Sequence, residues 1–298
     1  MKTSEFDFPD AISLTRPSDN FTRQNYEESR AGKEYALITG ASRGIGEALA
    51  HECAAQGMDL ILVALPGEKL AAVQETLVRE YRVRVQTYET DLTQPGAPEA
   101  LYQWCVENGF MVSALLNNAG IGQQGSFENA SIGGKLSLLQ INMLVPVSLV
   151  HHFLPMLKER KESFILNVGS MASFVPVPYK CLYSASKTFV LSFSRSLRFE
   201  LKDTPIKVSC LCPGPTLTNA QNRQNTRSVG RRGTLLEMGA RPVARAAVAG
   251  MLSGKEIIIP GWKHRFLEFF SRCLPAIWTI RYTGNMFSVS KHNVHVNS

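Results

Sequence analysis

The sequence of 298 residues lacks any uncharged apolar run of the roughly 18 residues that a membrane-spanning helix requires. The nearest approach, LSLLQINMLVPVSLVHHFLPML at 136–157, carries Gln140, Asn142, two histidines and two prolines, and reads as a buried core helix. The opening MKTSEFDFPDAISLTRP has acidic residues and no apolar h-region, so a secretory signal is not expected. Cysteine is sparse: Cys53, Cys105, Cys181, Cys210, Cys212 and Cys273 lie scattered in apolar stretches with no metal-ligand grouping. That spacing excludes a zinc module and suits reduced thiols in a cytosolic protein. Cys210 and Cys212 flank one residue of an expected strand and therefore share a face as core. No internal repeat is present. The net charge of +7 is too moderate to single out nucleic acid, although it permits attraction to anionic cofactors or membrane surfaces.

With 44% hydrophobic and 19% charged residues the composition is that of an ordinary globular chain. Residues 1–34 are polar and aperiodic, and read as a poorly ordered extension. From residue 35, short apolar runs alternate with amphipathic stretches. YALIT (35–39), DLILVA (59–64), VRVQTYE (83–89), SALLN (113–117), SFILNVG (163–169), IKVSCLC (206–212) and EIIIP (256–260) have the length and composition of strands. Seven strands alternating with helices predict a Rossmann-type α/β fold: a doubly wound, seven-stranded parallel sheet with helices on both faces. No linker divides it, so 35–261 reads as one domain and 262–298 as a basic amphipathic tail.

Two features carry chemistry. The turn ITGASRGIGEALA follows the first strand and opens a helix, with Gly40, Gly44 and Gly46 spaced G-x-x-x-G-x-G. Glycine lets a backbone approach a pyrophosphate, and a helix N-terminus offers free N–H groups and the positive end of its dipole. Further on, Ser170 precedes Tyr183 by thirteen residues and Lys187 follows it by four. Tyrosine, with an unperturbed pKa of about 10, needs positive charge nearby to act as acid or base. The i+4 position of a helix places Lys187 on the same face.

At this point the chain resembles the short-chain dehydrogenase/reductase family, including its 3-oxoacyl reductase and hydroxysteroid dehydrogenase-like members, over about residues 35–260. The carriers are the glycine turn, DL at 91–92, NNAG at 117–120, the set Asn142, Ser170, Tyr183 and Lys187, and PGPTLT at 213–218, all in the family's order. The resemblance implies that Tyr183 donates the proton in ketone reduction, or accepts it in alcohol oxidation, while hydride moves to or from a nicotinamide. Ser170 would hold the carbonyl oxygen, and Lys187 would favour the Tyr183 phenolate and reach the ribose. Asn142 would position a water that relays protons to Lys187; its other reading is a polar kink beside Pro146. Cofactor contacts are implied for Gly40, Ser42, Arg43, Gly44, Ile45, Gly46, Asp91, Leu92, Asn118, Ala119, Gly120, Tyr183, Lys187, Pro213, Gly214, Thr216 and Thr218. No metal is implied.

NADP (NADPH) is expected over NAD. Positions 64–67 after the second strand are Ala, Leu, Pro and Gly, so nothing acidic guards the ribose, and Glu68 lies past the turn. Arg43 stands where NADP-using relatives carry a base, and guanidinium suits phosphate. Leu65 departs from relatives that carry a second arginine there, and Arg43 as a solvated loop charge is the other reading. The resemblance makes 35–261 the catalytic domain and 219–240 its mobile substrate lid, where Arg223, Arg227, Arg231 and Arg232 read as solvated charges before they read as a site for acyl-carrier phosphates. Residues 262–298 hold five Lys/Arg and one Glu among many aromatics, a pattern that suits packing on the body or on a partner subunit, or an anionic membrane surface. The resulting expectation is a cytoplasmic homodimer or homotetramer reducing an apolar ketone or 3-oxoacyl group. The competing class, a dinucleotide-binding protein that acts through partner or membrane contacts without catalysis, would show a broken tetrad. This tetrad is intact.

Overall fold

The structure, a computed structural model, describes residues 34–122, 125–217 and 237–288. Strand β1 (Tyr35–Thr39) leads through the glycine turn to α1 (Gly44–Ala55), then β2 (Asp59–Ala64), α2 (Leu70–Tyr81), β3 (Val85–Glu89), α3 (Ala97–Glu107) and β4 (Val112–Asn117). A long helical stretch follows: α4 (Ile132–Leu139), a π-helical segment (Gln140–Leu144) and α5 (Val145–Lys158). The second half runs β5 (Ser163–Val168), a 3-10 turn (Met171–Ser173), α6 (Cys181–Glu200), β6 (Ile206–Leu211), β7 (Thr216–Leu217), β8 (Met238–Gly239), α7 (Ala240–Leu252) and β9 (Ile257–Ile258). Two helices, α8 (Trp262–Cys273) and α9 (Ala276–Ser288), complete it.

The main sheet has the order β3-β2-β1-β4-β5-β6-β9, and every pairing in it is parallel. The seven expected strands are the seven in this sheet. Strands β1, β2, β4 and β5 are buried at every position, which explains why they read as continuous apolar runs. One face packs Leu49 and Cys53 of α1, Leu70 and Leu77 of α2, and Val243, Ala247 and Met251 of α7. The other packs Leu101 of α3 and Leu149, Phe153 and Leu157 of α5, with Leu197 of α6 against them. Strand order reverses between β1 and β4, and a doubly wound sheet binds its ligand in the crevice outside such a switch point.

By length and composition the stretch Ile132–Lys158 is apolar enough to cross a membrane. Its α5 part instead turns Leu149, Val150, Phe153 and Leu157 into the core, as expected of a core helix.

The tail departs from one expectation. Of the three surroundings that suit its pattern, packing of the aromatics on the body is not what is seen: Trp262, Phe266, Phe269, Phe270 and Trp278 are exposed. The side chains that dock are polar: His264, Glu268 and Thr283. Of the lid, only 237–240 are described; Arg223, Arg227, Arg231, Arg232 and Thr218 lie outside the described residues, as do residues 1–33.

Candidate active site

The turn after β1 is shaped for close backbone approach. Gly40 and Gly44 have φ near +64° and +65°, a conformation that a side chain makes costly. A Cβ on Gly46 would fall 2.0 Å from the Gly40 carbonyl oxygen, so only glycine fits. Arg43, the residue before α1, makes no side-chain cap, leaving the helix N-terminus open to an anion. Across the switch point, Thr39 Oγ1 accepts from the backbone N–H groups of Asn118 (3.0 Å) and Ala119 (2.9 Å). Asn118 Nδ2 in turn donates to the carbonyls of Thr39 (2.8 Å) and Gly40 (3.1 Å). These bonds lock the two loops together. Thr39 was not singled out in the sequence, because its partners lie nearly eighty residues away.

Ser42 and Arg43 meet an unexpected partner. The turn after β2 brings Glu68 back, so that its carboxylate accepts from the Ser42 hydroxyl and lies 3.2 Å from Arg43 Nη1. A carboxylate therefore stands beside Arg43, which the reading of positions 64–67 did not include. The strand end is indeed free of carboxylates, but α2 starts only at Leu70, and Glu68 sits in the turn before it rather than in the helix.

Asp91 and Leu92 are engaged structurally. Asp91 accepts from Thr93 N (2.9 Å), Thr93 Oγ1 (2.7 Å) and Gln94 Nε2 (3.0 Å), and these bonds hold its carboxyl below the usual range. Leu92 is core.

Lys187 and Tyr183 lie one turn apart on α6. Lys187 is buried, and its ammonium donates to the Val168 carbonyl (2.8 Å) at the end of β5. Burial lowers its pKa to about 8, a fall partly opposed by the neighbouring thiols of Cys210 and Cys212. Those sulfurs lie 3.8 Å apart on one face in the core, as the strand spacing required. Lys187 Nζ is 5.9 Å from the centroid of the Tyr183 ring. Burial raises the Tyr183 pKa, while a side-chain hydrogen bond with Ser170 pulls it down. In this state the phenol keeps its proton.

Ser170 caps the 3-10 turn. Its oxygen accepts from Ala172 N (3.1 Å), and its hydroxyl is hydrogen-bonded to Tyr183. Ser173 completes the capping box by accepting from Ser170 N (3.2 Å), and its hydroxyl donates to the Lys187 carbonyl (2.8 Å), tying the turn to α6. Tyr179, four residues before Tyr183, holds φ +64°, a strained value for a bulky side chain of the kind that clusters at sites. Neither Ser173 nor Tyr179 bears a sequence signal.

Asn142 lies in the π-helical segment, so the helix is irregular there as its second reading supposed. Its Oδ1 accepts from Ile121 N (3.0 Å), and its Nδ2 donates to Ile121 O (3.0 Å) and Ser186 Oγ (3.1 Å). The side chain is fully used. Its carbonyl is different: the residue four positions on is Pro146, which has no N–H to offer. Gly120 fits beneath, where a Cβ would stand 2.8 Å from Asn142 Oδ1 and 3.5 Å from Lys187 Nζ.

The loop after β6 closes the other side. Met171 N donates to Pro213 O (2.9 Å), and Thr216 Oγ1 to Gly214 O (3.0 Å). Gly214 has a tail residue against it: a Cβ there would fall 2.1 Å from Nε2 of His264. That imidazole is 3% exposed, bonds Pro260 O through Nδ1 (2.9 Å), and has no partner at Nε2. The glycine cradle, the open helix N-terminus and the ammonium of Lys187 together suit a dinucleotide.

Comparison with known proteins agrees with this geometry. The short chain dehydrogenase family matches residues 34–228. Dehydrogenase/reductase SDR family member 7 of Homo sapiens is 33% identical over 186 residues, 61% of this chain and 55% of the relative. The 17-beta-hydroxysteroid dehydrogenase type 3 of Rattus norvegicus is 31% identical over 204 residues, covering 67% and 65%. The match thus spans between about half and two thirds of these relatives' length. A short-chain dehydrogenase of Sphingobium yanoikuyae, solved in complex with NADPH, is 30% identical with TM-score 0.70, over 80% of this chain and 93% of that one. A family match over most of the chain, in the fold that the family's members share, makes this protein a member of the short-chain dehydrogenase/reductase family.

Proposed function

We propose that the protein reduces the ketone of an apolar or 3-oxoacyl substrate, with NADPH as reductant and Tyr183 as proton donor. The observation that carries this is the pairing on α6 of a phenol held protonated by burial with a buried ammonium one turn away.

The turn Gly40–Gly46, the segment Asn118–Gly120, Lys187 and the loop Pro213–Thr216 would hold the cofactor, with Thr218 continuing that loop. When bound, the dinucleotide supplies the hydride that forms the new C–H bond. The Ser170 hydroxyl, bonded to Tyr183 here, would donate instead to the substrate oxygen and orient it. Tyr183 Oη gives its proton to that oxygen as the C–O π bond breaks, leaving alcohol and tyrosinate. The Lys187 charge then lies one turn from the tyrosinate and offsets its cost. Reprotonation would run through a water positioned at Asn142, held by its backbone carbonyl rather than by the occupied side chain. Alcohol oxidation is the same path reversed.

The NADP assignment rests on Arg43, with Glu68 holding that guanidinium until a 2′-phosphate replaces it. An NADPH-bound relative supports it. The apolar substrate is supported by likeness to a hydroxysteroid dehydrogenase. We further assign a cytoplasmic homodimer or homotetramer with no nucleic-acid partner.

The test is consumption of NADPH and NADH against a panel of steroid ketones, aryl ketones and 3-oxoacyl thioesters, with dissociation constants for both cofactors. Turnover with at least one apolar ketone and tighter NADPH binding are expected. Equal constants for the two cofactors would remove the NADP assignment, and activity confined to small hydrophilic carbonyls would remove the substrate class.

A further inference from the structure

Helix α8 is built inside out. Trp262, Phe266, Phe269 and Phe270 recur at the spacing of one helical face, and all four are exposed, Trp262 at 69% and Phe269 at 63%. The face turned to the body carries His264 and Glu268 instead. The outward rings form a continuous layer, with Phe266 and Phe270 centroids 4.5 Å apart and Phe269 and Phe270 6.0 Å apart. Leu274 ends the helix in an extended conformation before Pro275, and α9 carries further exposed apolar side chains, Ile277, Trp278 and Tyr282. Isolated exposed apolar residues need no explanation, but a contiguous patch of this kind marks an interaction site.

Charge selects the occupant. Lys263 and Arg265 are exposed beside the aromatic stripe of α8, and Arg281 is exposed on α9. Glu268, the one carboxylate in 262–288, faces inward. A second copy docked on this face would bring like charges together with no acid to offset them. An anionic lipid surface meets both features: acyl chains take the rings, headgroups take the bases, and Trp and Tyr favour the interface between.

We propose that α8 and α9 form a platform that seats the enzyme on an anionic membrane surface without crossing it. The platform is fixed to the loops that border the candidate site. His264 lies on Gly214, Thr283 Oγ1 donates to Pro176 O (3.2 Å), and Gly284 stands against Pro178. An apolar substrate dissolved in the bilayer would then enter beside Tyr183. The docking itself does not depend on which carbonyl is reduced.

The experiment is flotation of the full-length chain with phosphatidylcholine vesicles, alone or containing phosphatidylserine, across a salt series. Binding to the anionic vesicles that weakens with salt is expected. Each basic residue near such a surface is worth about fivefold in partitioning, so Lys263→Glu with Arg265→Glu should lower affinity roughly 25-fold or more. Phe269→Ser with Trp278→Ser should abolish it. Because all four side chains are exposed, cofactor binding and the melting profile should be unchanged, and both are measured alongside. No flotation of the wild type overturns the proposal, as does concentration-dependent self-association abolished by the same serine variants. Flotation that ignores salt, lipid charge and both pairs of substitutions overturns it equally.

Discussion

Helices α6 and α8 both turn polar side chains toward the body, and for opposite reasons. On α6 each inward group has a partner: Ser184 donates to Cys181 O, Ser186 to Tyr183 O, Lys187 to Val168 O and Ser194 to Val190 O. A buried polar face of that kind is stable because its hydrogen bonds are made. On α8 the inward imidazole has a partner at one nitrogen only, while the apolar groups that usually anchor a helix point away. The first helix is fixed by what the protein supplies. The second is completed by what lies outside it.

The largest effect should expose that contrast directly. Tyr183→Phe removes a single oxygen from α6 and should lower turnover by about 10²–10⁴ while the cofactor still binds. Phe269→Ser with Trp278→Ser removes two whole rings from the tail and should leave kcat on a water-soluble ketone unchanged. Steady-state kinetics with cofactor titration read both. Near-normal turnover in Tyr183→Phe would end the assignment of that residue as the acid.

Lys187 allows the cost of the α6 arrangement to be measured. Its folded pKa of about 8 lies below the 10.5 of an unperturbed lysine. Between those values the unfolded chain holds a proton that the folded chain has lost, so stability rises with pH across that window. Below pH 8 both states are protonated and the charged lysine carries its full burial cost, of about 3 kcal/mol for a shift of that size. The difference in unfolding free energy between wild type and Lys187→Met should therefore favour the variant at pH 7 and narrow as pH approaches 10.5. Parallel denaturation curves at every pH would show that Lys187 is not desolvated.

Much of the cradle and of α6 was legible in the sequence, because it depends on local rules. Doubly covered strands leave unbroken apolar runs, glycine marks backbone approach, and i+4 spacing puts Lys187 on the face of Tyr183. What was missed depends on distance or on the choice between faces. Glu68 returns to Ser42 and Arg43 through a turn whose path no short motif encodes. Thr39 reads as an ordinary strand residue until Asn118 is placed beside it. For α8 the periodicity defines two faces but does not say which one turns inward, and the usual rule, apolar inside, gives the wrong answer.

Two glycines separate a rigid contact from a yielding one. Gly46→Ala drives its methyl into the Gly40 carbonyl and toward Asn118 Nδ2, backbone and locked side chain that cannot withdraw. It should cost about 1–3 kcal/mol, the range for overpacking, and abolish dinucleotide binding. Gly214→Ala meets only the ring of His264. The ring should swing out and take α8 with it, giving a smaller loss of melting temperature and faster tryptic cleavage at Lys263 and Arg265. His264→Ala should relieve Gly214→Ala and do nothing for Gly46→Ala. If the double variant is cleaved as fast as Gly214→Ala alone, His264 is not what the methyl displaces.

The smallest expected effect returns to the cradle, at a contact the sequence did not foretell. Arg43 is largely exposed and its ion pair with Glu68 is screened by solvent, so the pair adds little to folding. Its influence falls on the cofactor. The same guanidinium is offered to a 2′-phosphate, and the carboxylate that holds it would repel one. Glu68→Gln keeps an acceptor for the Ser42 hydroxyl but removes the repulsion, so NADPH should bind more tightly by about 1 kcal/mol, with NADH little changed. Arg43→Ala should weaken NADPH by about 1–3 kcal/mol and narrow the preference. The two substitutions act on opposite sides of one contact, so the double variant should fall short of the sum of the singles. Calorimetric titration of both cofactors measures all of this. If Glu68→Gln instead weakens NADH and leaves NADPH alone, the carboxylate is a ribose ligand, and the enzyme is built for NAD.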